Sequence, residues 1–167
     1  ETGEWCNTVT AECYVPSPAQ WWAPVVYLDT NPSRPIEDFF TNIDFDGDSV
    51  AANNANNIDK YDKRAVVYHS FVSTETHWYI GYHFYFPKRY ASFGYNYENA
   101  MRSALLVIRR NDAYGELELI ETAGEAVRLY VPEVSSLYFS SPSSKSGNIK
   151  WDNQDGHNRP VLFIKTG

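Results

Sequence analysis

The residues with the densest chemistry are Asp44, Asp46 and Asp48, in the run Asn42-Ile43-Asp44-Phe45-Asp46-Gly47-Asp48-Ser49. Carboxylates two residues apart in an extended or turning backbone can converge on one point. Gly47 admits backbone angles that other residues resist. Converging carboxylate and carbonyl oxygens suit a hard cation, and Ca²⁺ is the cofactor this spacing implies. The run that follows, Asn53-Asn54-Ala55-Asn56-Asn57-Ile58-Asp59, either adds oxygen ligands or is plain loop.

Three readings of the loop stand side by side. An EF-hand would need its bidentate Glu at the twelfth position, which counted from Asp44 is Ala55, and Gly47 falls too early for the loop's glycine. A calcium site of another kind stays open. The segment Ile43-Asp44-Phe45-Asp46-Gly47 also resembles the motif of haloacid dehalogenase phosphatases, which implies Asp44 as nucleophile and Asp46 as acid/base. That motif follows a buried strand in a doubly wound α/β fold, and no βαβ alternation is present here. The third reading is a solvated Asp/Gly turn in which Asx side chains bond their own backbone.

Histidines are the next candidates. By period two, His77, Tyr79, Gly81, His83 and Tyr85 share one face of a strand, and Trp78, Ile80, Tyr82, Phe84 and Phe86 share the other, which reads as core. His69, on the preceding strand, joins the His/Tyr face in one of its possible registers. Histidines on one sheet face bind a metal, do acid–base work, or serve as hydrogen-bonded structural imidazoles. A metal-dependent hydrolase would need Asp44, Asp46 and Asp48 to meet His69, His77 or His83 in one cleft. No serine or cysteine stands in a nucleophile motif, and no catalytic residue is assigned.

The elements that must carry these groups are β-strands. The chain has 167 residues, one domain's worth, and 43% of them are hydrophobic, enough for a core. Arg64–Ser73 and Thr76–Phe86 read as a hairpin turning at Thr74-Glu75, with Pro87 ending the second strand. Pro87–Asn99 reads as a long loop. Further strands are expected at Val25–Leu28, Leu105–Arg110, Glu116–Glu121, Val127–Val131 and Val161–Ile164. Ser135–Ser146 reads as a mobile Ser-rich stretch and Trp151–Pro160 as a polar loop. No helix pattern of ten or more residues stands, and Tyr97–Leu106 is the best candidate for one. Many short strands separated by turn signals predict an all-β, antiparallel β-sandwich with long loops. Residues 1–20 form an N-terminal tether, and 21–167 a single β-sandwich domain.

Composition narrows the partners. A net charge of −7 argues against nucleic acid, whose phosphates need a basic footprint. No apolar run is long enough to span a bilayer, so no transmembrane segment is expected. Glu1-Thr2-Gly3 reads as a scar of a cleaved, vector-encoded secretion signal, which implies a secreted, extracellular chain. In that setting Cys6 and Cys13 are expected to form a short-loop disulfide. The 13 Tyr and 5 Trp exceed what a core needs and predict a recognition surface.

The segment Phe84-Tyr85-Phe86-Pro87-Lys88, then Gly94-Tyr95-Asn96-Tyr97-Glu98-Asn99-Ala100, then Leu105-Leu106-Val107-Ile108 resembles the necrosis-inducing NPP1 family and related Vps62-like β-sandwiches. That family shows an aromatic strand ending Phe-Pro-Lys, then Gly-His-Arg-His-Asp-Trp-Glu, then an apolar strand. Gly94 matches and Glu98 stands where an acid is expected. Tyr95 and Tyr97 replace both histidines, and Ala100 replaces the final acid. The resemblance implies a secreted β-sandwich whose divalent-ion site for sugar-lipid headgroups has been lost.

These readings favour a non-catalytic binding module. It would recognise a carbohydrate or protein on a cell surface through exposed aromatics, with Tyr90, Tyr95, Tyr97 and Trp151 as the ligand-binding residues. A metal-dependent hydrolase and an NPP1-like membrane-active toxin are the alternatives.

Overall fold

The computed structural model describes residues 5–6, 13–28, 30, 33, 38–90, 96–111, 114–123, 128–132, 140–141, 143–145, 149–153 and 157–165. The strands are β1 (Trp5–Cys6), β2 (Cys13–Tyr14), β3 (Val25–Leu28), β4 (Val67–Ser73), β5 (His77–Tyr90) and β6 (Asn96–Arg109). They continue with β7 (Glu116–Ala123), β8 (Arg128–Pro132), β9 (Ser140–Ser141), β10 (Ser143–Lys145), β11 (Trp151–Asp152) and β12 (Arg159–Lys165). Two single helical turns, α1 (Pro18–Trp21) and α2 (Asn54–Asn57), complete the elements used below.

The alternation along His77–Phe86 sets the architecture. Trp78, Ile80, Tyr82, Phe84 and Phe86 all point into one core. Ala104, Leu106 and Ile108 of β6 and Leu117 and Ile120 of β7 extend that inner face across the sheet. Opposite them stand Leu162 and Ile164 of β12, with Val26 and Leu28 of β3 against them. Each Leu, Ile or Phe among them contributes roughly 1.5–3 kcal/mol when fully buried. One sheet has the order β10-β7-β6-β5-β4, with every pair antiparallel. The other has β11-β12-β8-β9, with β3 beside β12. The fold is an all-β sandwich. Its departure from a purely antiparallel one is the β3–β12 pair, which runs parallel from Val25–Val161 to Leu28–Ile164.

Packing begins within the segment read as a tether. Ser17 caps α1, exchanging bonds with Gln20, and Ala19 enters the core. The backbone register sets Cys6 opposite Cys13, while the side chains of the expected disulfide lie outside the described residues.

Pro87 does not end its strand. β5 continues to Tyr90 and pairs Lys88 with Glu98 and Tyr90 with Asn96. The reason lies in the ladder. Thr74 donates to the His77 carbonyl, so Thr74 and His77 form a bonded pair. Bonded and non-bonded pairs alternate in an antiparallel ladder. Odd-numbered residues of β5 therefore turn their N–H and C=O towards β4, as Tyr85 does when its carbonyl accepts from Thr41. β4 ends opposite Phe84, so the N–H that Pro87 lacks would have met no ladder strand. The expected loop 87–99 is instead mostly strand. The best helix candidate, Tyr97–Leu106, is also strand, in keeping with the absence of any sustained helical pattern in the sequence: Ala100, Ala104 and Leu106 sit on the core face by even spacing.

Two further loops hold strand. Ser140–Ser141 and Ser143–Lys145 pair with β8 and β7 inside the Ser-rich stretch, and Trp151–Asp152 pairs with β12 inside the polar one.

In β7 the inward residues Leu117 and Ile120 are three apart, which strict alternation forbids. A bulge resolves this: Val107 faces Leu119, Ile108 faces Leu117, and Glu118 is the extra residue.

Candidate functional site

The acidic loop folds because its polar side chains bond its own backbone. Asp44 Oδ1 accepts from the Ser49 N–H at 2.8 Å, and Asp48 Oδ1 from the Val50 N–H at 2.8 Å. Gly47 takes the left-handed conformation, with φ +79°, and Ser49 follows it at 59°. The asparagine run supplies donors to the same carboxylates. Asn53 Nδ2 donates to Asp48 Oδ2 at 2.6 Å, and Asn57 Nδ2 to Asp46 Oδ2 at 2.6 Å. The Asn53 bond, with the Val50 N–H, holds the Asp48 carboxyl below the ordinary carboxylate range.

Asp44, Asp46 and Asp48 each bring one oxygen within 4.8 Å of the others. Two oxygens bound to one Ca²⁺ at about 2.4 Å lie at most about 4.8 Å apart, so the spacing is compatible with a shared cation. Asp46 Oδ1 and the side-chain oxygens of Asn53 and Asn54 are buried with no hydrogen-bond donor. Buried acceptors without donors are uncommon, because their lost hydration is then not replaced.

The loop is fastened to the outer face of the β10-β7-β6-β5-β4 sheet, the face turned away from the core. Asn54, fully buried, donates to the Ile43 carbonyl at 2.7 Å and to the Tyr85 hydroxyl at 2.6 Å. Tyr85 in turn donates to Asn99 Oδ1. Tyr68 bonds the same segment through Asn42 Oδ1 and the Ile43 N–H. Asn99 has φ 54°, a left-handed conformation that Asn tolerates better than most residues.

Beyond this clamp the outer face is open. Register places Val72, Tyr79, Val107 and Leu119 in one row across β4, β5, β6 and β7. All four are at least partly exposed, Val72 the most at 58%. Beside them runs a polar row. His83 is bonded to Ser70 on β4 at 3.2 Å and to Ser103 on β6 at 2.8 Å. Gly81 makes that row possible. A Cβ there would stand 2.5 Å from Ser70 Oγ and 3.1 Å from His83 Nε2.

Among the described residues, no histidine joins the aspartate cluster. His69 faces Tyr82 across the ladder, so it lies on the core-side face of an edge strand and not with His77 and His83. Period two had left its register open, and the hairpin turn decides it. His77 is bonded to Thr76 Oγ1 at 2.8 Å and to Glu118 Oε2 at 3.0 Å. Glu118 also pairs with Arg109. The His77 hydrogen bond is the main cause that keeps the Glu118 carboxyl low. Among the described residues, the candidate metal group contains the three aspartates and no histidine. The meeting of histidines and acidic loop that a metal-dependent hydrolase would need is not seen in that group. The phosphatase reading of Asp44 and Asp46 loses its fold, because the surrounding sheets are those of a β-sandwich.

Of the aromatic candidates, Tyr90 and Tyr97 lie on the far ends of β5 and β6, with Tyr97 opposite Arg89. Their side chains, and all of Tyr95, lie outside the described residues. Trp151 is 38% exposed and its ring centroid is 6.3 Å from that of Trp22. Asn53 and Asn57, which donate to the carboxylates, and Asn54, which ties the loop to Tyr85, lie in the run that the sequence leaves as added ligands or plain loop, and Glu118 was passed over. The density of asparagine was the available signal for the first three.

No family model, no curated protein and no solved structure matches this chain.

Proposed function

We propose that the protein is a secreted, non-catalytic binding module that docks a protein surface through the outer face of its β10-β7-β6-β5-β4 sheet. The observation that carries this reading is the row Val72, Tyr79, Val107 and Leu119, which stays at least partly exposed while the neighbouring end of the same face is sealed by the acidic loop. Apolar side chains on a solvent-facing sheet mark a contact surface when they are contiguous. Branched aliphatic groups around one tyrosine suit a protein more than a sugar, which stacks on exposed flat rings. The hydrogen-bonded row Ser70, His83 and Ser103 would supply polar contacts at its border.

The test is binding of the fluorescently labelled protein to a panel of intact cells. Val72→Glu with Val107→Glu abolishes binding if this face is the site, and protease treatment of the cells removes it. Sensitivity to glycosidase alone would assign a carbohydrate instead. Binding untouched by the double variant and lost in Tyr90→Ala/Tyr97→Ala would move the site to the hairpin end.

We also propose a Ca²⁺ site formed by Asp44, Asp46 and Asp48, supported by the 4.8 Å clustering of their oxygens. Its role is to stiffen the loop that seals one end of the face. The likeness of the Phe84–Ile108 segment to NPP1 cytolysins supports an extracellular setting. Lysis of sugar-lipid vesicles by the purified chain would turn that likeness into a membrane activity.

A further inference from the structure

The edge of the β10-β7-β6-β5-β4 sheet carries its own signal. β4 is the last strand in the order, and β5 is its one partner among the described residues. Its sequence, Val67-Tyr68-His69-Ser70-Phe71-Val72-Ser73, contains no Asp, Glu, Lys, Arg, Pro or Gly. Edge strands ordinarily carry such residues, or a bulge, to prevent pairing with another chain. Here the ladder to β5 runs without a register shift. Six of the seven residues are exposed, with Val67 at 40%, Phe71 at 42% and Val72 at 58%.

The direction of the free backbone groups follows from the hairpin. Thr74 and His77 form a bonded pair, so Val72, Ser70 and Tyr68 bond β5 as well. Val67, His69, Phe71 and Ser73 therefore turn their N–H and C=O groups away from the sheet. They are an odd-numbered set symmetric about Ser70.

We propose that β4 is a self-association edge, pairing antiparallel with β4 of a second copy about a two-fold axis at Ser70. This register uses every outward group: Val67 meets the partner's Ser73, and His69 meets the partner's Phe71. Tyr68 then faces the partner's Val72 on the outer side. Charge favours a second copy over another occupant. In a chain of net charge −7 this seam is free of carboxylates, so two acidic molecules meet there without opposed charges. The same register sets Glu75, in the exposed turn after β4, opposite the partner's Ala65, one position from its exposed Arg64. The symmetry repeats that placement at both ends. The product is one continuous sheet across two molecules, an isologous contact that closes on itself.

Sedimentation velocity across a wide concentration range tests this. The unaltered chain should pass from monomer to dimer. His69→Pro removes one outward N–H and leaves the ladder to β5 intact, so it should raise the dimer dissociation constant at least about tenfold. Glu75→Arg should weaken the dimer, and adding Arg64→Glu should restore it, with unchanged circular dichroism throughout. A chain that stays monomeric at every concentration overturns the proposal. So does a dimer indifferent to His69→Pro, or a charge swap that fails to rescue.

Discussion

Asn54 and Tyr85 are 31 positions apart in the chain, and the side-chain amide of one donates to the hydroxyl of the other at 2.6 Å. The same amide donates to the Ile43 carbonyl, and the same hydroxyl donates to Asn99. One buried amide thus joins the acidic loop to β5 and β6. Burial, acting against the Asn54 hydrogen bond, pushes the Tyr85 hydroxyl above its usual titration range. The phenol is therefore a neutral donor throughout the physiological range.

Asn54→Ala should destabilise the fold by about 1–3 kcal/mol, because it leaves the Ile43 carbonyl without its donor and removes one partner of Tyr85. Tyr85→Phe loses the same contact from the other side. The double variant should cost less than the sum of the singles, since both delete one shared bond. Urea unfolding of the four proteins measures the coupling, and strict additivity would mean the bond contributes nothing.

Calcium should raise the thermal unfolding midpoint. A ligand that binds only the folded state at a hundred times its dissociation constant stabilises by about 2.7 kcal/mol. The shift should vanish with EDTA and in Asp44→Ala/Asp46→Ala. An unchanged midpoint in excess Ca²⁺ would reduce the loop to a hydrogen-bonded turn.

The sheet was legible in the sequence where alternation met burial. His77–Phe86 showed its two faces because one of them is aliphatic and aromatic at every second position, and the structure buries those residues. Strand ends were not legible. Pro87 looked like a stop because its lost N–H was counted without knowing which way that group would point. Tyr97–Leu106 resembled a helix because β6 begins with polar residues that neither period claims. At the site, the three aspartates could be found from spacing alone. Their partners Asn53 and Asn57 could not, because a polar run has no periodic signature and its donors act through a fold-specific turn. His69 needed a register, and register is a property of the pair of strands rather than of either one.

The Asp48 carboxyl gives a pH dependence of known sign. Its folded value lies below the ordinary 3.8, chiefly because Asn53 donates to the ionised form. A group depressed on folding stabilises the native state above its unfolded value. That contribution should be present above pH 3.8 and fall away as pH drops through the lower folded value. Asp48→Asn should flatten the acid limb of the stability curve in that window and leave its slope near neutrality unchanged. An unaltered acid limb would show that Asp48 keeps its ordinary value.

Gly47 and Gly115 share a left-handed backbone, with φ +79° and +74°, yet they should respond differently to alanine. At Gly47 an added Cβ meets nothing within 4 Å, so the cost is backbone strain alone, about 1–2 kcal/mol. At Gly115 the Cβ would stand 2.6 Å from the Arg109 carbonyl oxygen and 2.6 Å from Ile108 Cγ2. The first of these is backbone in the β6 ladder and the second belongs to a fully buried side chain. Neither can yield without disturbing the core beside Trp78. Gly115→Ala should therefore cost more than Gly47→Ala, by roughly a further 1–3 kcal/mol of overpacking. Paired urea melts decide it. Equal midpoints for the two variants would mean that Gly115 can move away from β6 freely, and that its contacts with Arg109 and Ile108 do not constrain it.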